Sequence, residues 1–166
     1  MKKLLQRLLR AIANWIRRCL PAYNPAAWND ANGIQHHNNC YNYACNHATG
    51  TFAQPGRGTG AMYASLSCDD VSAGAVSDGL AAIDCDAGCG CNDCCHQVAL
   101  VVAPDWDFHW YRKDRDGKWS HKPGSTQATN LDQSGNIITD PRTADRGRYT
   151  HFCGCFCVCK GKFTIN

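Results

Sequence analysis

Apolar residues recur at helical spacing from the start of the chain. Leu4, Leu5, Leu8, Leu9, Ile12, Trp15, Ile16, Cys19 and Leu20 follow an i, i+3, i+4 rhythm. Lys3, Arg7, Arg10, Asn14, Arg17 and Arg18 fill the other face, and Pro21 ends the helix because it cannot continue the hydrogen-bond ladder. Residues 21–37 carry Pro21, Pro25 and Gly33 and read as an irregular linker. A short helix follows, capped by Asn38 or Asn39, with Gly50 placed where a helix stops. "TFAQPGRGTG" (51–60) reads as a loop. Met62, Leu66, Val71, Val76, Leu80 and Ile83 predict a second helical region over 61–83, weakened by Gly74 and Gly79.

The period then changes. "HQVALVVA" (96–103) is a short β-branched run and predicts a buried strand. "FHWYRKD" (108–114) alternates, "RDGK" makes a hairpin turn, and "WSHK" (119–122) predicts a third strand. Residues 123–148 are loop-rich, and "HFCGCFCVCKGKFTI" predicts one or two closing strands. Helices first and strands afterwards indicate an α+β fold, with N-terminal helices packed on an antiparallel β meander. The organisation expected is a basic amphipathic helix over 1–20, a linker over 21–37 and a single domain over 38–166.

Composition adds a charge asymmetry. The net charge is +3, yet residues 1–18 hold six of the 17 basic residues and no acid, so the remainder stands at 11 against 14, or −3. A basic amphipathic helix over residues 3–20 fits an anionic membrane surface or a partner's groove as well as its own domain. The mildly acidic remainder argues against a nucleic-acid partner, although Trp106, Trp110, Lys113 and Trp119 interleave aromatic and basic groups. Arginines interrupt the N-terminal apolar run, so neither a signal peptide nor a membrane span is read there, and the expected location is cytoplasmic or membrane-peripheral.

Thirteen cysteines, an odd number, raise the question of their state. With no export signal recognised, reduced thiols are the default, and disulfides or a metal remain open. Cys91-x-x-Cys94 supplies half of a tetrahedral zinc site, and Cys155 and Cys157 could complete it. No other cofactor is required by the pattern. Cys153, Cys155, Cys157 and Cys159 alternate, which on one strand would put all four thiols on one face.

Cys40 stands apart from these clusters. It opens the short helix of "NNCYNYACN", where helix N–H groups favour a thiolate. A nucleophile needs a base, and the base needs an orienting group. His96 begins the central strand, and His109 lies on the neighbouring one. His109 with His121 is the alternative base and orienting pair.

A cysteine at a helix start, then "HQVALVV", then a polar residue one strand later, resembles the papain-like superfamily. The match is to its small bacterial branches, the NlpC-type and CHAP-type amidases and peptidases. The hairpin "DFHWYRKDRDGKWSHKPG" also resembles an uncharacterised bacterial or phage family. The resemblance implies a papain-like layout, amide-bond hydrolysis, and a peptide or peptidoglycan stem peptide as substrate. It implies Cys40 as nucleophile, His96 as base, His109 as orienting residue and Asn39 in the oxyanion hole. The alternatives are a cysteine-rich zinc-binding or structural module, or a papain-like domain that binds without cutting.

Overall fold

Two long strands, residues 95–103 and 151–159, run side by side through the centre of the molecule. The computed structural model describes residues 2–30, 32–90 and 94–166. Its elements, in chain order, are α1 (Lys2–Cys19), a 3-10 turn (Pro25–Ala27), α2 (Ile34–His37), α3 (Cys40–Ala44), α4 (Cys68–Ser77), β1 (Ala81–Ile83), β2 (Cys95–Ala103), β3 (Asp107–Lys113), β4 (Trp119–His121) and β5 (His151–Cys159). The strands form one antiparallel sheet in the order β1-β5-β2-β3-β4. The fold is α+β, weighted towards β. The closing strand does not extend a meander; it returns to lie between β1 and β2.

Each face of β2 feeds a different core. Val98, Leu100 and Val102 join Trp110, Phe156 and Val158 beneath Cys40, Tyr41 and Ala44 of α3 and Val71 and Ala75 of α4. Ala99 and Val101 join Tyr111, Trp119, Ile138 and Cys155 on the other face. The strand is therefore apolar at successive positions because both of its faces are buried.

The helix expected over 61–83 is shorter and is followed by a strand. Ser67 starts α4 by accepting a hydrogen bond from the Asp70 N–H. Gly79 closes it with φ +103°, and a Cβ there would lie 2.3 Å from the Lys162 carbonyl oxygen. No helical side-chain residue could occupy that position, so the chain leaves the helix and pairs as β1.

Among the described residues ten cysteines form five disulfides: Cys19–Cys94, Cys68–Cys153, Cys85–Cys155, Cys89–Cys157 and Cys95–Cys159. This corrects the expectation of reduced thiols. It also removes Cys94, Cys155 and Cys157 as zinc ligands, while Cys91 lies outside the described residues. Among the described residues, no group of three or more His, Cys, Asp or Glu side chains is arranged to hold a metal ion. The four β5 cysteines do not share a face. Gly154 adopts φ +132°, opposite a register shift between Leu100 and Val101. Cys153 consequently packs on the helix-side core, and Cys155 on the opposite one.

The start of the chain is tied to the sheet at its end. Beyond Cys19–Cys94, the Arg115 guanidinium donates to the Leu20 carbonyl (3.0 Å) and the Arg115 N–H to the Pro21 carbonyl (2.8 Å). Leu4, Leu5, Leu8 and Leu9 of α1 are exposed. No helix among the described residues is long and apolar enough to cross a membrane.

Candidate functional site

Asn39 sets the position of Cys40. Its Oδ1 accepts from the Tyr41 N–H (3.1 Å) and the Asn42 N–H (3.2 Å). Asn42 Oδ1 accepts in return from the Asn39 N–H (3.0 Å) and also from the Ala53 N–H (3.2 Å). Two orphan helix donors are thus satisfied reciprocally, and Cys40 becomes the first residue of α3. Asn39 Nδ2 donates to the Ala53 carbonyl (2.8 Å). The carboxamide expected in an oxyanion hole is therefore engaged in holding two chain segments together.

One cavity of about 280 Å³ brings Asn39, Cys40 and His109 together, with aromatic walls that include Tyr63, Trp106 and Tyr149. His96 is not there. Its Nε2 donates to the carbonyl of Ala44 (2.7 Å), the last residue of α3, whereas Cys40 is the first. His96 lines a separate cavity with Cys19, Cys94 and Lys160. The pair that the sequence weighs first, Cys40 with His96, is held at opposite ends of one helix.

His109 belongs to a chain of hydrogen bonds. His109 Nε2 lies 2.8 Å from His121 Nδ1, and His121 Nε2 lies 2.9 Å from the Leu131 carbonyl oxygen. A carbonyl can only accept, so His121 carries its proton on Nε2 and presents a lone pair at Nδ1. His109 must then donate from Nε2. In the neutral ring that leaves Nδ1 as a bare lone pair, and it has no hydrogen-bond partner among the described residues. His121 acts as the orienting group for His109, as the alternative pairing expects.

Burial keeps both reactive groups neutral. It pushes the Cys40 thiol up to about 12, partly opposed by the backbone N–H groups of Trp110, Cys40 and Tyr41. Burial holds His109 well below the ordinary imidazole value, and the neighbouring His121 lowers it further. Among the described residues Cys40 and Cys45 are free thiols, and both are buried. No hydrogen bond joins Cys40 Sγ to an imidazole at rest.

No family model matches the chain, and no solved structure matches it. A curated relative does: insoluble matrix shell protein 1 of Ruditapes philippinarum is 48% identical over 139 residues, covering 83% of this chain and 90% of the relative. This chain belongs to the family of that shell matrix protein. Membership corrects the resemblance to bacterial or phage peptidases and amidases, because a close relative spanning most of the chain is a mollusc shell protein. The same finding overturns the expected partners: a peptide or peptidoglycan substrate, implied by that resemblance, and an anionic membrane or partner groove for residues 3–20, read from the amphipathic pattern.

Sequence reasoning missed several members of the site. Tyr149 reaches it through a hydrogen bond to Asp107 Oδ2 (2.8 Å), and Tyr63 through Gln54 Oε1 (2.7 Å). Tyr149 comes from a stretch with no periodicity to signal its direction, and Tyr63 from the start of the region expected to be helical, which has no regular structure there. Cys19 reads in the sequence as an apolar helix position and Cys68 carries no signal of its own, yet each is a disulfide partner.

Proposed function

We propose that this protein is a structural module of an insoluble extracellular matrix. The observation that carries this reading is the kinship with a shell matrix protein of about the same extent. The disulfides support it. Each of the five joins residues 64 to 85 positions apart, so they tie the sheet to distant parts of the chain. Such cross-links persist in an oxidising exterior and are rare in a reducing cytosol. In this reading the sheet and its staples keep the chain folded where no cell maintains it. The exposed leucines of α1 supply apolar surface for neighbouring matrix components.

Peptide mapping of the native protein, with thiols blocked before extraction, tests this. The expected result is recovery of its peptides from the insoluble matrix fraction, with the five disulfides intact. Recovery solely from a soluble intracellular fraction, with these cysteines blocked as free thiols, would overturn it.

A further inference from the structure

An unpaired strand edge opens the cavity over Cys40. Pairing of β4 with β3 begins at Tyr111, so residues 107–110 have no strand beyond them among the described residues. Alternation along β3 turns Asp107 and His109 towards Tyr149 on one face of the sheet, and Phe108 towards Tyr63 on the other. The cavity, about 280 Å³, lies across this edge and takes its walls from both faces. The Tyr63 and Phe108 rings meet edge to face at 5.7 Å, and the Trp106 ring lies 5.7 Å from Tyr149. Trp106 is 53% exposed and Phe52 41%, so two of the lining rings also meet solvent.

Among these walls stands a carboxylate without a counter-ion. Asp107 lines the cavity, and no Lys or Arg does. Its Oδ1 accepts from the Phe108 N–H (2.8 Å) and its Oδ2 from Tyr149 Oη (2.8 Å), which fix the group and leave about half of its lone pairs unused. Among the described residues no cationic side chain lies within ion-pair distance of it. The cations near the walls are committed elsewhere. Arg57 donates to the Phe52 and Asn166 carbonyls, and the buried Lys122 ammonium to those of Gln35, Asn38 and Gly124. The Arg148 guanidinium lies 5.2 Å from the centre of the Trp106 ring but does not line the cavity. Burial keeps His109 neutral. Burial first, and the Asp107 carboxylate after it, pushes up the Cys40 thiol and the Tyr63 and Tyr149 phenols, so this charge is felt on both walls.

We propose that this cavity binds a primary alkylammonium group, with the Asp107 carboxylate as its counter-ion and the Tyr63, Trp106 and Tyr149 rings around its stem. The ammonium brings one positive charge and three donors. The cavity offers what matches them. Tyr149 Oη spends its proton on Asp107 and Tyr63 Oη spends its own on Gln54 Oε1 (2.7 Å), so both phenol oxygens can only accept. The faces of aromatic rings attract a cation and pack against its methylenes. An anion would meet the carboxylate with no free cation to offset it. A neutral polyol would leave that carboxylate without a counter-charge. The volume is that of roughly nine waters, which takes a four-carbon chain and its charged end with water to spare. A lysine side chain of a neighbouring protein and a small free amine share this chemistry. Cys40 takes no part, since its sulfur meets the backbone N–H groups of Trp110, Cys40 and Tyr41.

The test titrates the full, disulfide-bonded, isotope-labelled chain with n-butylammonium chloride at neutral pH and constant ionic strength, followed by amide NMR. The expected result is saturable shifts of the Phe108 and Tyr149 amides and the Trp106 indole N–H. Binding should be at least about tenfold tighter than that of n-butanol, the uncharged chain of the same length. Asp107→Asn keeps an acceptor for the Phe108 N–H. It should weaken butylammonium at least about tenfold and leave n-butanol unchanged, a split that structural damage alone would not give. Trp106→Ala, at an exposed position, should weaken butylammonium about threefold. Equal binding of n-butanol and butylammonium, or no saturable shift at these positions, would overturn the proposal whether or not either variant folds. So would an unchanged affinity in Asp107→Asn. Tighter binding of methyl β-glucoside at the same residues would also overturn it, by making the cleft a sugar subsite. Nα-acetyl-lysine methylamide separates the two sources: binding tighter than butylammonium assigns a lysine side chain, and weaker binding a free amine. None of these outcomes depends on the matrix reading, which is tested by where the protein is found.

Discussion

His96 and Asn39 show how single residues hold the candidate site in place. His96 is buried and gives its Nε2–H to the Ala44 carbonyl, so the protein holds it neutral and burial lowers its pKa from 6.5 to about 4. An imidazole freed by unfolding ionises near 6.5, so acid favours the unfolded chain. Stability is complete above about pH 6.5 and is lost as pH falls from there towards 4. For this one ring the loss reaches about 3 kcal/mol, and buried His109 and His121 shift in the same direction. Urea midpoints measured from pH 7.5 down to 4.5 should fall steadily, and His96→Gln should flatten part of that fall. A profile that stays flat to pH 4.5 would contradict neutral burial of these rings. Asn39→Ala removes a helix cap and an inter-segment hydrogen bond together. It should cost about 1–3 kcal/mol, read as a lower urea midpoint, and should leave the disulfide map intact.

The elements divide by how far their causes lie along the chain. Strands β2 and β3 were legible because alternation and β-branching are local, and the RDGK turn joined β3 to β4 as expected. The start of α3 was legible because Asn39 is a local cap. Its end was not: the helix stops at Ala44 rather than near Gly50, where Asn46 takes φ +51° and Asn42 bonds to Thr49. The site was legible in part. Cys40 and His109 do share a cavity, but which histidine lines it depends on where β2 and β3 sit relative to α3, and no spacing in the sequence encodes that. The placing of β5 between β1 and β2 is likewise a long-range pairing. Its bulge sends Cys153 to the helix side, where it meets Cys68 at the first residue of α4. Replacing both Cys68 and Cys153 by serine should therefore loosen α4 against β5, with a loss of about 2–4 kcal/mol. Amide exchange should rise first in Val71–Ser77. If exchange rises uniformly across the sheet instead, this link is not specific to α4.

At the scale of the whole molecule, core and cross-links stabilise by different routes. The two cores flanking β2 act on the folded state by removing apolar surface from water. The disulfides act chiefly on the unfolded state, by limiting how far it can expand, and each closes a loop of 64 to 85 residues. In the chain-entropy account a loop of that size is worth about 4 kcal/mol. Five such links overlap in sequence, so their effects cannot simply add. Beside them stands a buried polar cluster that does not depend on sulfur. Arg112 pairs with Asp114 at 2.8 Å and donates to Tyr43 Oη and to the Ala22 carbonyl, while Asp114 also accepts from Ser120. A reductant breaks no bond within that cluster, whereas it removes the limit on unfolded dimensions. Denaturant unfolding with and without a phosphine reductant separates the two routes. Reduction should lower the midpoint and raise the m-value, because the unlinked chain exposes more surface when it unfolds. A lower midpoint with an unchanged m-value would mean that the disulfides act on the folded state instead. An unchanged midpoint would mean that the cores and the Arg112 cluster hold the fold unaided.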